Sequence, residues 1–270
     1  MHPIDVARLE EGRRGRGAAR LASEARFFTG GGVALRSAPG SWINFAVGMG
    51  LEGPVPEGEV EAVAAWYESA GIEPRVELTP YADASVLRGC AAAGLTLREF
   101  NTLLWRRTDT IVRPEREGPA GLELRVIDVS DEEEAEAFAW VVDRGFTPPH
   151  LDPSPLRMER TRRYIALDRV VAVGAFVNGR LVGGGTLAYE EEVGTLQGMS
   201  VLEAWRGRGI QQALIAERCR LAAERGVPLV TIMSRPHAAT ERNALRLGFQ
   251  VAYTKTTLAK SGPGLRAVGT

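Results

Sequence analysis

The chain has 270 residues, long enough for about two ordinary domains, and its 44% hydrophobic and 25% charged content is that of a globular protein with a sizeable core. A formal net charge of −1 excludes a global attraction to nucleic acid or anionic membranes, so any anion site must be local. No apolar run approaches the roughly 20 residues of a membrane helix, Met1 to Asp5 carry no apolar signal-peptide core, and the two cysteines and three histidines make neither a disulfide framework nor a zinc cluster. The expectation is a cytoplasmic monomer or homodimer with no metal, nucleic-acid or membrane partner. Cys90 and Cys219 read as small buried hydrophobes.

Pro3 to about Ala25 reads as a charged helical arm interrupted around Gly12 to Gly17, with Arg13-Arg14-Gly15-Arg16 as a solvated helix end. Val33 to Arg36 and Trp42 to Val47 are predicted strands across a Pro39-Gly40 turn. Val60, Val63, Ala64 and Tyr67 recur at i, i+3, i+4 and i+7 and form one apolar helical face, which Gly71 stops. Val76 to Leu78 reads as a strand, Ser85 to Ala93 as a helix ended by Gly94, and Leu95 to Trp105 as a long strand. Between the second strand and the helix lies Leu51-Glu52-Gly53-Pro54-Val55-Pro56-Glu57-Gly58-Glu59. Its two prolines lack N–H donors, and its three glutamates would repel a phosphate.

The Pro/Gly/charge run Pro114 to Pro119 marks a boundary, giving domains at 1–116 and 117–262 and a disordered tail at 263–270. Leu122 to Val129 alternates as a strand. Ser130 and Glu133 form a capping box for a helix that buries Ala135, Phe138, Ala139 and Val142. After a loop holding His150, Ser154 and Pro155 start a second helix as N-cap and first residue. Asn178-Gly179 joins Val170–Val177 to Leu181–Tyr189 as a type I′ hairpin. A strand from Thr195 to Val201 follows, then a helix ended by Gly226, a strand from Val227 to Met233, a short helix from Thr240 to Leu247 capped by Gly248, and a closing strand from Phe249 to Leu258.

The stretch Val201-Leu202-Glu203-Ala204-Trp205-Arg206-Gly207-Arg208-Gly209-Ile210-Gln211 is the most informative. A strand enters a basic, glycine-bearing turn and a helix begins at once. The first N–H groups of that helix lack intrahelical partners, and its dipole places partial positive charge there. Gly207 and Gly209 permit positive φ and remove Cβ atoms that would hold a ligand off, while Arg206 and Arg208 add charge. Together these make a seat for a phosphate or pyrophosphate. The missing Lys-Ser/Thr ending disfavours a P-loop.

The stretch resembles the acetyl-CoA signature of the GNAT superfamily of N-acetyltransferases: Arg206, Gly209 and Gln211 fill its fixed positions, Gln211 replacing the usual small residue. Asn243 with Leu247-Gly248-Phe249 is similar to the family's second block, and the element order over about 120–260 resembles the family throughout. The arrangement around Asn44, Gly48, Gly50 and Glu77-Leu78-Thr79-Pro80 resembles the second half of the same fold, with a degenerate phosphate loop. The resemblance implies an acyl-CoA N-acyltransferase fold of class α/β (α+β). It would have a mixed, mostly antiparallel central sheet flanked by helices, in two similar domains of which the second is active.

The implied function is acetyl transfer from acetyl-CoA, a co-substrate, to a small-molecule or peptide amine. The resemblance assigns the coenzyme to Met199, Ser200, Val201, Arg206, Gly207, Arg208, Gly209, Ile210, Gln211 and Asn243. An alkylamine has a pKa near ~10.4 and must lose a proton before it can attack, while the leaving thiolate needs stabilisation. Many relatives place a Tyr as acid where this chain has Ala244, so Tyr253 and Ser234 are the candidate substitutes. Gln197 cannot titrate, which leaves Glu190, Glu191 or Glu192, or a water chain, for the base, with Glu191 as the candidate; that run also reads as a solvated turn. His237 and His150 read as loop histidines near the site. The missing Tyr keeps a second reading open, a non-catalytic acyl-CoA-binding module.

Overall fold

The structure is a computed structural model and describes residues 1–268. In chain order the elements are α1 (Pro3–Ala19), β1 (Glu24–Phe27), β2 (Val33–Arg36), β3 (Phe45–Val47), α2 (Glu59–Glu68), β4 (Arg75–Leu78), α3 (Ala84–Ala92) and β5 (Thr96–Arg107). They continue with β6 (Leu122–Val126), α4 (Glu132–Phe146), α5 (Pro155–Ile165), β7 (Val170–Val177), β8 (Arg180–Tyr189), β9 (Gly194–Val201), a 3-10 turn (Glu203–Trp205), α6 (Ile210–Glu224), β10 (Leu229–Ser234), α7 (Ala239–Arg246) and β11 (Gln250–Ala259). The chain forms two compact units, one of Met1–Leu103 with the stretch from Val251 onward, the other of Leu104–Gln250.

In the first unit the strands lie in the order β1-β2-β3-β4-β11, with the start of β5 beside β11. The β3–β4 pair is parallel, with Ala46 opposite Val76 and Val47 opposite Glu77. The predicted apolar face of α2 is buried as expected, and the Tyr67 hydroxyl donates to the Leu35 carbonyl at 2.9 Å. Several sequence expectations need correction. The closing strand β11 belongs here, paired antiparallel with β4 from Thr256–Leu78 to Ala259–Arg75. The division therefore falls inside β5 and at Gln250/Val251 rather than at the Pro114–Pro119 linker.

The arm is likewise neither interrupted nor solvated. Gly15 sits where an added Cβ would stand 2.7 Å from Val33 Cγ1, so the glycine serves close packing. Glu10, Glu11 and Arg13 are buried: Arg13 pairs with Glu10 at 3.1 Å, and Lys255 Nζ lies 3.1 Å from Glu11 and 2.8 Å from Glu77. Arg14 pairs with Glu77 and stands 4.4 Å over the Phe45 ring. A charged run reads as solvated when its partners lie on strands 60 and more residues away. Nor is the tail loose where it is described, for Arg266 N–H donates to Gly71 O at 2.9 Å and its carbonyl accepts from Glu73 at 3.0 Å. Residues 269–270 of the expected tail lie outside the described residues.

In the second unit β10, β9, β8, β7 and β6 follow one another from the end of β5. The β9–β10 pair is parallel and the pairs from β9 to β6 are antiparallel. The Asn178-Gly179 hairpin has φ of 50° and 79° and joins β7 to β8 as predicted. Ser154 caps α5 by accepting from Arg157 N–H at 3.4 Å. For α4 the cap is Asp131, accepting from Glu133 and Glu134, one residue past the predicted Ser130. Asp128 binds the Ser130 hydroxyl at 2.6 Å and takes it out of the capping role. Leu187, Leu196, Leu214, Ile215, Val230 and Phe249 anchor the core, each worth about 1.5–3 kcal/mol if fully buried. Cys219 sits in this core and Cys90 in that of the first unit, and burial pushes both thiols up to about 12.

Candidate cofactor and active site

Two features of β9 build the site. Its parallel pairing with β10 runs from Gly194–Val230 to Leu196–Ile232, after which β9 continues to Val201 and β10 to Ser234. The strands therefore separate beyond Leu196. On its other side β9 carries a bulge: Thr186 faces Gln197 and Gly184 faces Ser200, so Gly198 and Met199 together oppose Gly185 alone. Gly198 takes φ of 56° there, the left-handed conformation such a bulge favours.

The basic turn follows. The Leu202 amide closes onto Val182 at 2.9 Å, and Arg206 Nε donates to the Val201 carbonyl at 3.0 Å, tying the guanidinium to the end of β9. Gly207 and Gly209 adopt φ of 74° and 81°, and Gly209 is the N-cap of α6 with no side-chain cap. The first helical bond runs from Ala213 N–H to Gly209 O, so the amides of Ile210, Gln211 and Gln212 have no partner within the helix. A Cβ on Gly207 would meet nothing within 4 Å. The turn thus presents donors, left-handed glycines and open space.

These groups open onto a cleft of about 610 Å³ lined by Met199, Ser200, Val201, Arg206, Gly207, Gly209, Ile210, Gln211 and Asn243, nine of the ten expected coenzyme residues. The tenth, Arg208, lies over the Trp205 ring at 5.0 Å instead. Helix α7 adds Ala239, Arg242 and Arg246 to the lining. With Asn243 these stand at i, i+3, i+4 and i+7, a stripe legible in the sequence but not read from it. Gln211 Nε2 donates to Thr240 at 3.0 Å, Gln212 Nε2 donates to Asn243 Oδ1 at 3.2 Å, and Asn243 donates to Gln211, which locks α6 to α7.

The linker also reaches the site, which the sequence reading missed. Glu115 and Arg116 line the cleft, Glu115 N–H donates to Gln212 Oε1 at 3.0 Å, and the Glu115 carboxylate lies 3.7 Å from Arg246. An added Cβ on Gly209 would stand 3.0 and 3.1 Å from the carbonyls of Glu117 and Arg116, so the linker runs directly over the turn. On the other face Asp143, buried at the end of α4, accepts from Ser154 N–H at 2.7 Å and pairs with Arg157 at 2.5 Å. That pins the loop between α4 and α5. From α5, the Tyr164 hydroxyl accepts from Gln197 Nε2 at 3.0 Å beside the bulge.

The side-chain catalyst candidates are not brought to the cleft. Tyr253 lies in the first unit, buried, its hydroxyl donating to Glu11 at 2.6 Å; burial and that carboxylate hold its pKa well above 10. Ser234 is buried at the end of β10, with its hydroxyl on the Arg235 carbonyl at 3.1 Å. Glu191 is exposed in the β8–β9 turn, which Glu190 closes by donating to Val193 at 2.9 Å. Neither residue lines the cleft. His150 and His237 are exposed loop residues, the latter at φ of 61°. Ala244, at the position of the absent Tyr, is the wholly buried residue of α7.

Residues 132–249 match the model of the Acetyltransferase (GNAT) family. Solved structures share the fold at low identity. A GCN5-related N-acetyltransferase from Kribbella flavida superposes with a TM-score of 0.70 at 19% identity, covering 96% of this chain and 97% of that one. A GCN5-related N-acetyltransferase from Sphaerobacter thermophilus gives 0.58 at 20%, covering 82% and 73%. A tandem GNAT protein from the clavulanic acid biosynthesis pathway gives 0.59 at 16%, covering 86% and 78%. No curated protein matches the sequence. The family supports acyl transfer from an acyl-CoA in general. Among the described residues no helix is long and apolar enough to cross a membrane.

Proposed function

We propose that the second unit is an acetyl-CoA-dependent N-acetyltransferase that acts on an amine, and that the first unit is a GNAT-like partner that binds no coenzyme. The observation that carries this reading is the uncapped, glycine-hinged start of α6 opening on a cleft beside the point where β9 and β10 part. The residues fit the coenzyme. Amides from Gly207 to Gln212 with Arg206 would hold its diphosphate, and Arg242 and Arg246 supply further positive charge. The freed edge of β9 from Gln197 to Val201 would pair with the pantetheine amides, and the bulge would then lie beside the thioester.

The thioester supplies an activated acyl carbon, to which the amine nitrogen forms the new C–N bond as the C–S bond breaks and the sulfur leaves with the electron pair. Gln197 and Tyr164 stand beside the bulge as hydrogen-bonding groups that orient an incoming amine. Proton removal from the amine then falls to water. Calorimetry with acetyl-CoA, followed by acetyl-CoA consumption against a panel of peptide, polyamine and small-molecule amines, tests the reading. Tight binding with turnover is expected, and absence of binding would end it.

A second reading has its own observation: among the described residues no tyrosine, cysteine or histidine lines the cleft. A non-catalytic acyl-CoA-binding module would bind acetyl-CoA equally well and show no consumption with any amine of the panel.

A further inference from the structure

Helix α6 buries a guanidinium that the reading above does not use. Arg218 is wholly inaccessible, the largest fully buried side chain among the described residues. No carboxylate among them pairs with it, and burial brings its pKa down to about 10, which leaves it charged at neutral pH. A lone buried cation is costly unless something else favours it. Its room is made by Gly185, where a Cβ would stand 2.8 Å from Arg218 Nη1, so the strand gives up a side chain to admit it. Its donors go to the Leu214 carbonyl at 2.9 Å, the Thr186 carbonyl at 3.1 Å, the Gln197 carbonyl at 3.3 Å and the Met199 sulfur at 2.8 Å. Two of these four acceptors belong to the β9 bulge, and Met199 also lines the cleft.

The Gln197 carbonyl is the informative one. It also accepts the Thr186 hydroxyl at 3.2 Å, so two donors converge on one peptide oxygen. In a trans peptide the C=O and the following N–H point in opposite directions. The Gln197 carbonyl points toward β8, so the Gly198 N–H points to the other side, where pairing with β10 has ended. Donors on a carbonyl polarise its peptide and strengthen the N–H at the far end. We propose that Arg218 is a positioning residue for acyl transfer: through the Gln197–Gly198 peptide it strengthens the amide that faces the thioester oxygen and balances the negative charge that builds there. This inference rests on the acetyl-CoA reading of the cleft and adds to it the origin of the oxyanion stabilisation.

The test uses acetyl-CoA labelled with ¹³C at the thioester carbonyl, bound to the full-length protein and read by isotope-edited infrared spectroscopy. The wild type is expected to lower the carbonyl stretching frequency relative to free acetyl-CoA, Arg218→Met to lose most of that shift, and Arg218→Lys to restore part of it. With an amine that turns over, Arg218→Met should lower kcat about tenfold or more while KM for acetyl-CoA stays within about twofold. Thr186→Val, which removes the other donor to the same carbonyl, should lose a smaller part of the shift and serves if Arg218→Met does not fold. A merely structural arginine would change the melting temperature and leave the frequency alone. Bound acetyl-CoA with no shift in the wild type, or an undiminished shift in both Arg218→Met and Thr186→Val, would overturn the inference. A wild type that does not bind acetyl-CoA overturns the cofactor reading instead, and this inference with it.

Discussion

The two units start a helix in the same way and to opposite effect. In each, a strand of a parallel pair runs out, a loop follows, and a helix begins at an uncapped left-handed glycine: Gly58 at φ 80°, ψ −8° before α2, and Gly209 at φ 81°, ψ −12° before α6. The backbone cannot tell them apart. The side chains can, because the second turn carries Arg206 and Arg208 while the first carries Glu52, Glu57 and two prolines. In the first unit the loop is also closed on itself: Leu51 N–H goes to Gly48, Glu52 N–H to Gly30 and Val55 N–H to Ser85 at 2.9 Å, and Leu51 and Val55 are buried. A helix N-terminus becomes an anion seat only when its donors stay unspent and its neighbours are not acidic.

The comparison breaks most sharply by exchanging the charges. Arg206→Glu with Gly207→Asp should weaken acetyl-CoA binding by about 100-fold or more, since two favourable or neutral positions become like charges at close range to the diphosphate. Gly207 suits this test because a side chain there meets open space, whereas one at Gly209 would strike the linker. Glu52→Arg in the first unit should leave the affinity within about twofold by calorimetry. If the two substitutions weaken binding alike, the asymmetry between the units is wrong.

Next in size is the first unit's buried ion network. Glu77→Ala takes the paired carboxylate from Arg14 and leaves Lys255 with Glu11 alone, and should cost about 3–5 kcal/mol in denaturant unfolding. Burial alone would raise the Glu77 carboxyl, but Arg14 and Lys255 outweigh it and hold it well below the usual carboxylate range. A depressed folded pKa means stability that is present above the unfolded value, about 4.3, and lost as pH falls below it toward the folded value. Unfolding followed from pH 6 to pH 2 should therefore show a steep acid limb, and Glu77→Gln should flatten it.

A smaller change sharpens the second unit's side. Glu115 places a carboxylate in the cleft against Arg246, so Glu115→Gln should tighten acetyl-CoA binding by about three- to tenfold at low salt, with the gain shrinking as ionic strength rises. An unchanged affinity would show that the linker does not oppose the coenzyme. The smallest effect belongs to Tyr253→Phe. It should lower stability by about 1 kcal/mol through the lost bond to Glu11 and leave kcat within about twofold, in contrast to the acid role the sequence suggested.

What could be read in advance follows the range of the forces involved. Turns, caps and helix faces are local, so the Asn178-Gly179 hairpin, the Ser154 cap and the glycine-bearing turn that starts a helix after Arg206 were all legible. Contacts across large sequence distances were not. Nothing in Tyr253 or Lys255 announces that Glu11, more than 240 residues earlier, is their partner. The linker at Glu115 and Arg116 looked like a mere spacer because its role lies in what it lies against. Nothing in the sequence sets Arg218 apart from the chain's other arginines. Only the absence of a side chain at Gly185 hinted that a bulky group would need the space.

The place of β11 has a consequence for how the molecule comes into being. Its partner strand β4 ends at Leu78, yet β11 begins at Gln250, so the first unit stays unfinished while some 170 further residues are made. At roughly 5–20 residues per second that is a wait of about 10–30 s, during which Glu11 and Glu77 lack Lys255 and the edge of β4 stands bare. The amino-terminal half, born first, is completed last. Cutting the gene at the Pro-rich linker would leave it permanently without its final strand.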